Sequence, residues 1–181
     1  MTEKVIVAGF GGQGVILAGK LIANAGMIEG KSVSHIPSYG AEMRGGTANC
    51  SVMVSDREIA SPFIFHPTSI LVMNKPSLDK FEPAVMEDGV VLINESLIER
   101  KAERDDVRAF YVPANKLAEE AGSGRASNMI MLGAFCAVVG VVDLDSIKRS
   151  LPALVSARNI KYNEINVRAL DMGFSYARDR M

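Results

Sequence analysis

The sequence predicts an α/β fold with a mainly parallel sheet flanked by helices, and three observations lead there. Short runs of β-branched and apolar residues alternate along the chain with segments of helical period. The first run, Val5-Ile6-Val7-Ala8, stops at a glycine cluster, and a helical pattern begins at once. From Thr47 to Ser55 the chain alternates, with Ala48, Cys50, Val52 and Val54 on one side and Thr47, Asn49, Ser51 and Met53 on the other, the mark of a half-buried strand, and an antiparallel ribbon is expected as an insertion in the parallel pattern.

The opening unit reads as strand, tight turn, helix. Val15, Ala18, Leu21, Ile22, Ala25 and Ile28 recur at the spacing of one helix face. Gly9, Gly11 and Gly14 fit G-x-G-x-x-G in the right context, with Gly12 and Gln13 inside the turn. Glycine lets the backbone turn sharply and lets a ligand approach without a Cβ in the way. The helix start adds free N–H groups and a partial positive charge, which suit an anion. The same turn can also serve only close strand–helix packing, and both readings stand at this point.

Val33 to Ile36 reads as the second strand, closed by Pro37. A nicotinamide-binding domain places an acidic residue near the end of this strand for the ribose hydroxyls. Here Pro37-Ser38-Tyr39 follows, Glu29 precedes the strand and Glu42 comes well after it. The loop Ser38-Tyr39-Gly40-Ala41-Glu42-Met43-Arg44-Gly45-Gly46 has no period. Its Arg44 could present a planar fork to a carboxylate or phosphate. After the Thr47–Ser55 strand, Asp56-Arg57 reads as a turn and Glu58-Ile59-Ala60 as a short partner strand.

Ser69 to Met73 is a short apolar strand. Pro76 then opens a helix through Met86, which Pro83 kinks or shortens. Val90 to Ile93 reads as a central strand, Glu95 to Asp106 as a short helix and loop, and Val107 to Val112 as another strand. Pro113 opens a helix that runs to Ala121 and ends at Gly122-Ser123-Gly124. Ser127 or Asn128 caps a helix from Met129 to Val139 that is apolar nearly all round, so either this chain or a partner covers it. Asp143 caps an amphipathic helix with Leu144, Ile147 and Leu151, and a last helix spans Lys161 to Arg178.

At 181 residues the chain is read as one domain, residues 1–181. A formal net charge of -1 supplies no field to draw it to nucleic acid, and only 6% aromatic residues with no Trp leave no stacking platform for bases. No apolar run has the length of a membrane span, and the N-terminus shows no signal region, so a cytoplasmic protein is expected. Cys50 and Cys136 stand far apart and read as small buried hydrophobes. His35 and His66 belong to no zinc pattern. A glycine loop without a catalytic set favours a binding or accessory subunit over a self-sufficient enzyme.

Four stretches together resemble the gamma subunit of 2-oxoacid:ferredoxin (acceptor) oxidoreductases, the pyruvate, 2-oxoglutarate and ketoisovalerate group. They are Gly9 to Val15, Pro37 to Gly46, Ser55-Asp56 through Ile59-Ala60-Ser61-Pro62, and Asn128 to Ala134. The resemblance covers almost the whole chain. It implies a Rossmann-like domain within a complex that oxidatively decarboxylates a 2-oxoacid, acylates coenzyme A and passes electrons to ferredoxin. Thiamine diphosphate with Mg would sit on the alpha and beta subunits. The 4Fe-4S clusters would sit on beta and a ferredoxin-like delta subunit, and none of these cofactors would be held by this chain alone. A structural and coenzyme A-binding role for the gamma chain is implied, with no catalytic or metal-ligating residue. The implied contact set is Gly9, Gly11, Gly12, Gln13, Gly14, Tyr39, Arg44, Gly45, Gly46 and Asn128.

This chain departs from the family pattern at Pro67-Thr68, where an acidic residue often stands. It lacks extra terminal segments and is similar to the compact gammas of 2-oxoglutarate-type complexes. An independent dinucleotide-binding reductase is the alternative, and a bare homodimeric module is a third reading. The loops after the first and second strands are expected side by side, with Arg44 near the start of the first helix.

Overall fold

The computed structural model describes residues 1–38, 47–155 and 161–181. Its sheet is built around β1 (Thr2–Phe10), whose Val5, Ile6, Val7 and Ala8 are all buried. Successive side chains of a strand point to opposite faces, so a run apolar at every position must be covered on both. Val5 and Val7 join one core and Ile6 and Ala8 another.

β2 (Ser32–Ser38), β3 (Thr47–Ser55), β4 (Ser69–Val72), β5 (Val90–Asn94) and β6 (Arg108–Val112) complete a six-stranded sheet in the order β2-β3-β1-β4-β5-β6. β1, β4, β5 and β6 pair in parallel. β3 is antiparallel to both β1 and β2. The antiparallel ribbon is therefore β2–β3. Residues 58–60, expected as the partner of β3, form no strand, because both edges of β3 are already paired. Pro37 lies inside β2 and does not end it. β2 is an edge strand, where a missing N–H breaks no ladder on the open side.

β2 and β1 run in the same direction, since each opposes β3. Their ends, Ser38 opposite Asn49 and Phe10 opposite Thr47, share one edge of the sheet as expected. They are not neighbours, because β3 lies between them. β5 is buried at all five positions but stands second from the edge, and the centre belongs to β1 and β4.

Helices α1 (Val15–Ile28), α3 (Ala114–Ala121), α4 (Ser127–Val139), α5 (Leu144–Leu154) and α6 (Asn163–Arg178) share the core of Val5 and Val7. α2 (Lys75–Phe81) contributes Leu78 to the core of Ile6 and Ala8. The helix expected through Met86 stops at Phe81 and tightens into a 3-10 turn over Glu82–Ala84, where Pro83 has no N–H to continue the ladder. No helix forms over 95–106. The buried carboxylate of Glu82 organises that segment instead, accepting from the N–H groups of Glu103 and Arg104 and pairing with Arg100 at 2.8 Å.

α4 is covered by its own chain. A Cβ on Gly133 would collide with the Leu170 carbonyl, and one on Gly173 with the Ile130 carbonyl. The absent side chains let α4 and α6 cross almost backbone to backbone, which resolves the question of what buries this apolar helix.

Candidate functional site

β1 carries Gly9 and Phe10 to the sheet edge where the glycine turn begins. A Cβ on Gly9 would stand 2.6 Å from Gln13 Oε1 and 2.8 Å from Met73 Cβ. Gln13 closes the turn on itself: its Oε1 accepts from Phe10 N at 2.6 Å, and its own N–H donates to Phe10 O at 3.2 Å. Gln13 thus shapes the turn. Gly11 and Gly12 stand exposed at its tip. Gly12 (φ 91) and Gly14 (φ 73) adopt left-handed backbone that side chains resist.

Gly14 also faces Asn128, whose Nδ2 donates to Gly14 O at 3.3 Å. That bond joins the start of α1 to the start of α4 across 114 residues of sequence. Asn128 is buried, only 6% exposed. The first turn of α1 carries no acidic residue and no side-chain cap. Its N–H groups therefore keep their capacity for an anion.

Both helix starts border one cleft of about 470 Å³, lined by Gly12, Gly14, Lys20, Arg125, Asn128 and Tyr162 among others. Among the described residues no carboxylate lines it. Lys20 and Arg125 make no ion pair among the described residues. The structure therefore brings Gly12, Gly14 and Asn128 together, with Gly9, Gly11 and Gln13 forming the turn beside them. Tyr39, Arg44, Gly45 and Gly46 lie outside the described residues. Lys20, Arg125 and Tyr162 were not singled out from the sequence. For Lys20 a signal existed: it follows Leu17, another lining residue, by three positions on the same helix stripe.

Close by, Gly19 lets β2 and β3 approach α1, with Cys50 Sγ and His35 Nε2 around the place of its missing Cβ. Burial pushes the Cys50 thiol up to about 12 and, with the Lys20 charge, lowers the His35 imidazole. Burial also raises the Cys136 thiol to about 12. These two thiols fit no iron–sulfur cluster, which needs several accessible thiolates at one point. The described residues contain no group of three or more His, Cys, Asp or Glu that could hold a metal ion. Among them no helix is long and apolar enough to cross a membrane.

The nicotinamide reading loses its geometry here. The strand beside β1 at this edge is β3, which starts with Thr47. Glu29 is used elsewhere: its Oε1 accepts from Asp143 N at 2.7 Å and its Oε2 pairs with Lys31 at 2.8 Å. It caps α5 from outside, while Asp143, the expected cap, makes no side-chain cap bond.

Fold and site together define an α/β domain with a glycine turn opening on a cationic cleft. The family model for pyruvate ferredoxin/flavodoxin oxidoreductase matches residues 4–176, and the chain belongs to that family. It is similar to the ketoisovalerate oxidoreductase subunit VorA of Methanothermobacter marburgensis, at 38% identity over 98% of this chain; the chain spans 37% of that relative's length. It is also similar to the 2-oxoglutarate synthase subunit KorC of Methanocaldococcus jannaschii, at 30% identity over 99% of this chain and 96% of the relative. The crystal structure of the keto/oxoacid ferredoxin oxidoreductase gamma subunit of Geobacter sulfurreducens shares the fold. Its TM-score is 0.83 at 28% identity, over 97% of this chain and 98% of that one.

Proposed function

We propose that this chain is the gamma subunit of a multi-subunit, coenzyme A-acylating 2-oxoacid:ferredoxin oxidoreductase of the cytoplasm, with residues 1–181 forming one gamma-type domain. Its partners in this reading are alpha, beta and ferredoxin-like delta subunits, which hold the thiamine diphosphate, Mg and clusters. The described residues of this chain offer no such site. What the gamma subunit contributes is the cleft.

The lining of that cleft carries the reading. Lys20 and Arg125 flank the glycine turn and Asn128, and among the described residues no carboxylate opposes them. Such a lining suits a polyanion, and within this enzyme class that is the phosphate end of coenzyme A, the acyl acceptor. Arg44, with Tyr39, Gly45 and Gly46, joins the site in this reading, because β2 leaves the sheet at the same edge as β1. Each charge-assisted contact contributes on the order of 1.5–3 kcal/mol, or roughly ten- to hundred-fold in affinity.

The test is reconstitution with the alpha and beta subunits, following acceptor reduction with ketoisovalerate, 2-oxoglutarate and pyruvate offered side by side. Lys20→Ala, Arg125→Ala and Arg44→Ala should each raise the KM for coenzyme A at least tenfold and leave the KM for the 2-oxoacid alone. The isolated chain should oxidise no 2-oxoacid. Turnover by the isolated chain would end the subunit reading. An unchanged KM for coenzyme A in all three variants would end the reading of the cleft.

A further inference from the structure

The cleft between the helix starts is walled by two kinds of side chain. Lys20, Arg125 and Asn128 supply charge and hydrogen bonds, while Leu17 and Ile165 supply apolar surface, with the Tyr162 ring as its aromatic part. A bare polyanion uses only the first kind. A ligand that fills both carries phosphates on one part and a flat, largely apolar ring system on another, which is the composition of a nucleotide.

The start of α6 brings that ring to the cleft. Tyr162 stands just before the first residue of α6, and Ile165 and Asn166 follow it by three and four positions, so all three share one helix stripe along the cleft. Tyr162 is 37% exposed, and its ring is open to a partner. Lys161 Nζ lies over the same ring, 5.1 Å from its centre. Glu164, the acid in the first turn of α6, borders a different groove with Arg168 and Asp171 and does not line this one. At the start of α4, the Asn128 Nδ2 is committed to Gly14 O, which turns the Oδ1 of that buried amide the other way, as an acceptor without a partner among the described residues.

We infer that the cleft is an adenine-nucleotide site, with the base stacked on Tyr162 and the phosphates at the glycine turn, Lys20 and Arg125. The inference rests on the reading of the cleft given above and adds the residues that read the base. Stacking on an aromatic ring tolerates every base, so Tyr162 alone does not choose among them. Asn166 chooses. A side-chain amide donates one hydrogen bond and accepts another, the pattern that adenine answers with its N7 and its N6 amine, whereas guanine offers two acceptors at the same edge. Coenzyme A is an adenosine phosphate bearing a long arm, and the residues named here address only its nucleotide part. Free adenosine phosphates therefore occupy the same place and compete with it, which makes the cleft a point where they restrain the reaction.

Titration calorimetry of the full chain with ADP, GDP, pyrophosphate and coenzyme A tests this. ADP should bind about tenfold or more tightly than pyrophosphate, through the stacked base, and about tenfold or more tightly than GDP, through Asn166. Tyr162→Leu, checked for an unchanged Tm, should bring ADP down to the level of pyrophosphate and leave pyrophosphate itself where it was, while Tyr162→Phe keeps the native affinity. Asn166→Leu should make ADP and GDP equal. In the assembly reconstituted with the alpha and beta subunits, ADP should raise the KM for coenzyme A and leave kcat unchanged. Equal binding of ADP and pyrophosphate by the native chain, or native ADP affinity in Tyr162→Leu, overturns the nucleotide site while the cleft stands as a phosphate site. Uptake of coenzyme A without ADP overturns it as well, and equal binding of ADP and GDP by the native chain overturns the choice of adenine. A chain that takes up none of the four overturns the reading of the cleft, and the nucleotide site with it.

Discussion

Gly133 and Gly173, where α4 crosses α6, and Gly9 and Gly14, at the turn after β1, have no room for a methyl group. The obstacle differs. At the helix crossing it is a backbone carbonyl on each side, of Leu170 and of Ile130. At the turn it is mainly side chain: the Gln13 amide and Met73 beside Gly9, and the Asn128 amide beside Gly14. Backbone inside two packed helices can yield only if the helices part, whereas a side-chain amide can swing away. The first pair therefore sets how the molecule packs, and the second sets the shape of a site that the fold can stand without.

The largest effect should come from the crossing. Gly173→Ala or Gly133→Ala should destabilise by about 3 kcal/mol or more and lower Tm by roughly 10 °C, read by thermal melting. A loss at either position no greater than that of Gly14→Ala would erase the contrast between the two pairs.

Next come the turn glycines. Gly14→Ala combines left-handed strain of about 1–2 kcal/mol with displacement of Asn128 and should disturb coenzyme A use. At Gly12, where none of the described residues comes within 4 Å of the missing Cβ, alanine meets the strain alone. Chemical unfolding of the two variants side by side separates strain from collision. Asn128→Ala removes one hydrogen bond and should destabilise by about 1 kcal/mol. If the amide positions the turn, the same variant should also raise the KM for coenzyme A.

The smallest effect belongs to Glu29, at the C-terminal end of α1. Burial alone would raise its carboxyl pKa, but the Lys31 ammonium, the Asp143 N–H and Ser146 outweigh it and hold the group below its ordinary 4.5. A depressed carboxyl stabilises the fold above the unfolded pKa and loses that contribution as pH falls through the folded value. Urea unfolding of Glu29→Gln against the native chain should show a modest gap at pH 7 that closes as pH drops below about 4.5. A gap that persists in acid would mean that the charge is not what Glu29 supplies.

Local patterns made much of the fold legible. The Val5–Ala8 run, the glycine turn and the helix after it need only neighbours in sequence to declare themselves. The insertion of β3 between β2 and β1 does not, because the alternation of Thr47–Ser55 says which residues face inward and nothing about which strand lies alongside. Residues 58–60 looked like a partner for that reason. The 95–106 segment has no local signal of its own order, which comes from the buried Glu82 carboxylate farther back in the chain. At the site, the glycines could be read from spacing. Lys20 and Arg125 could not be paired with each other, since only the meeting of α1 and α4 starts places two cations at one cleft. Arg44 and its neighbours remain a proposal drawn from the resemblance and from the direction of β2.

Cys50 is fully buried under α1 and Cys136 nearly so within α4, and both thiols are held protonated at neutral pH. Iodoacetamide reacts with thiolate, so the folded chain should resist alkylation until an element opens. The two sites open by different motions, one by lifting the helix that follows the glycine turn and one by fraying the end of the helix that crosses α6. Mass spectrometry after timed labelling would then read two clocks from one unmodified molecule, the first set by the site and the second by the scaffold.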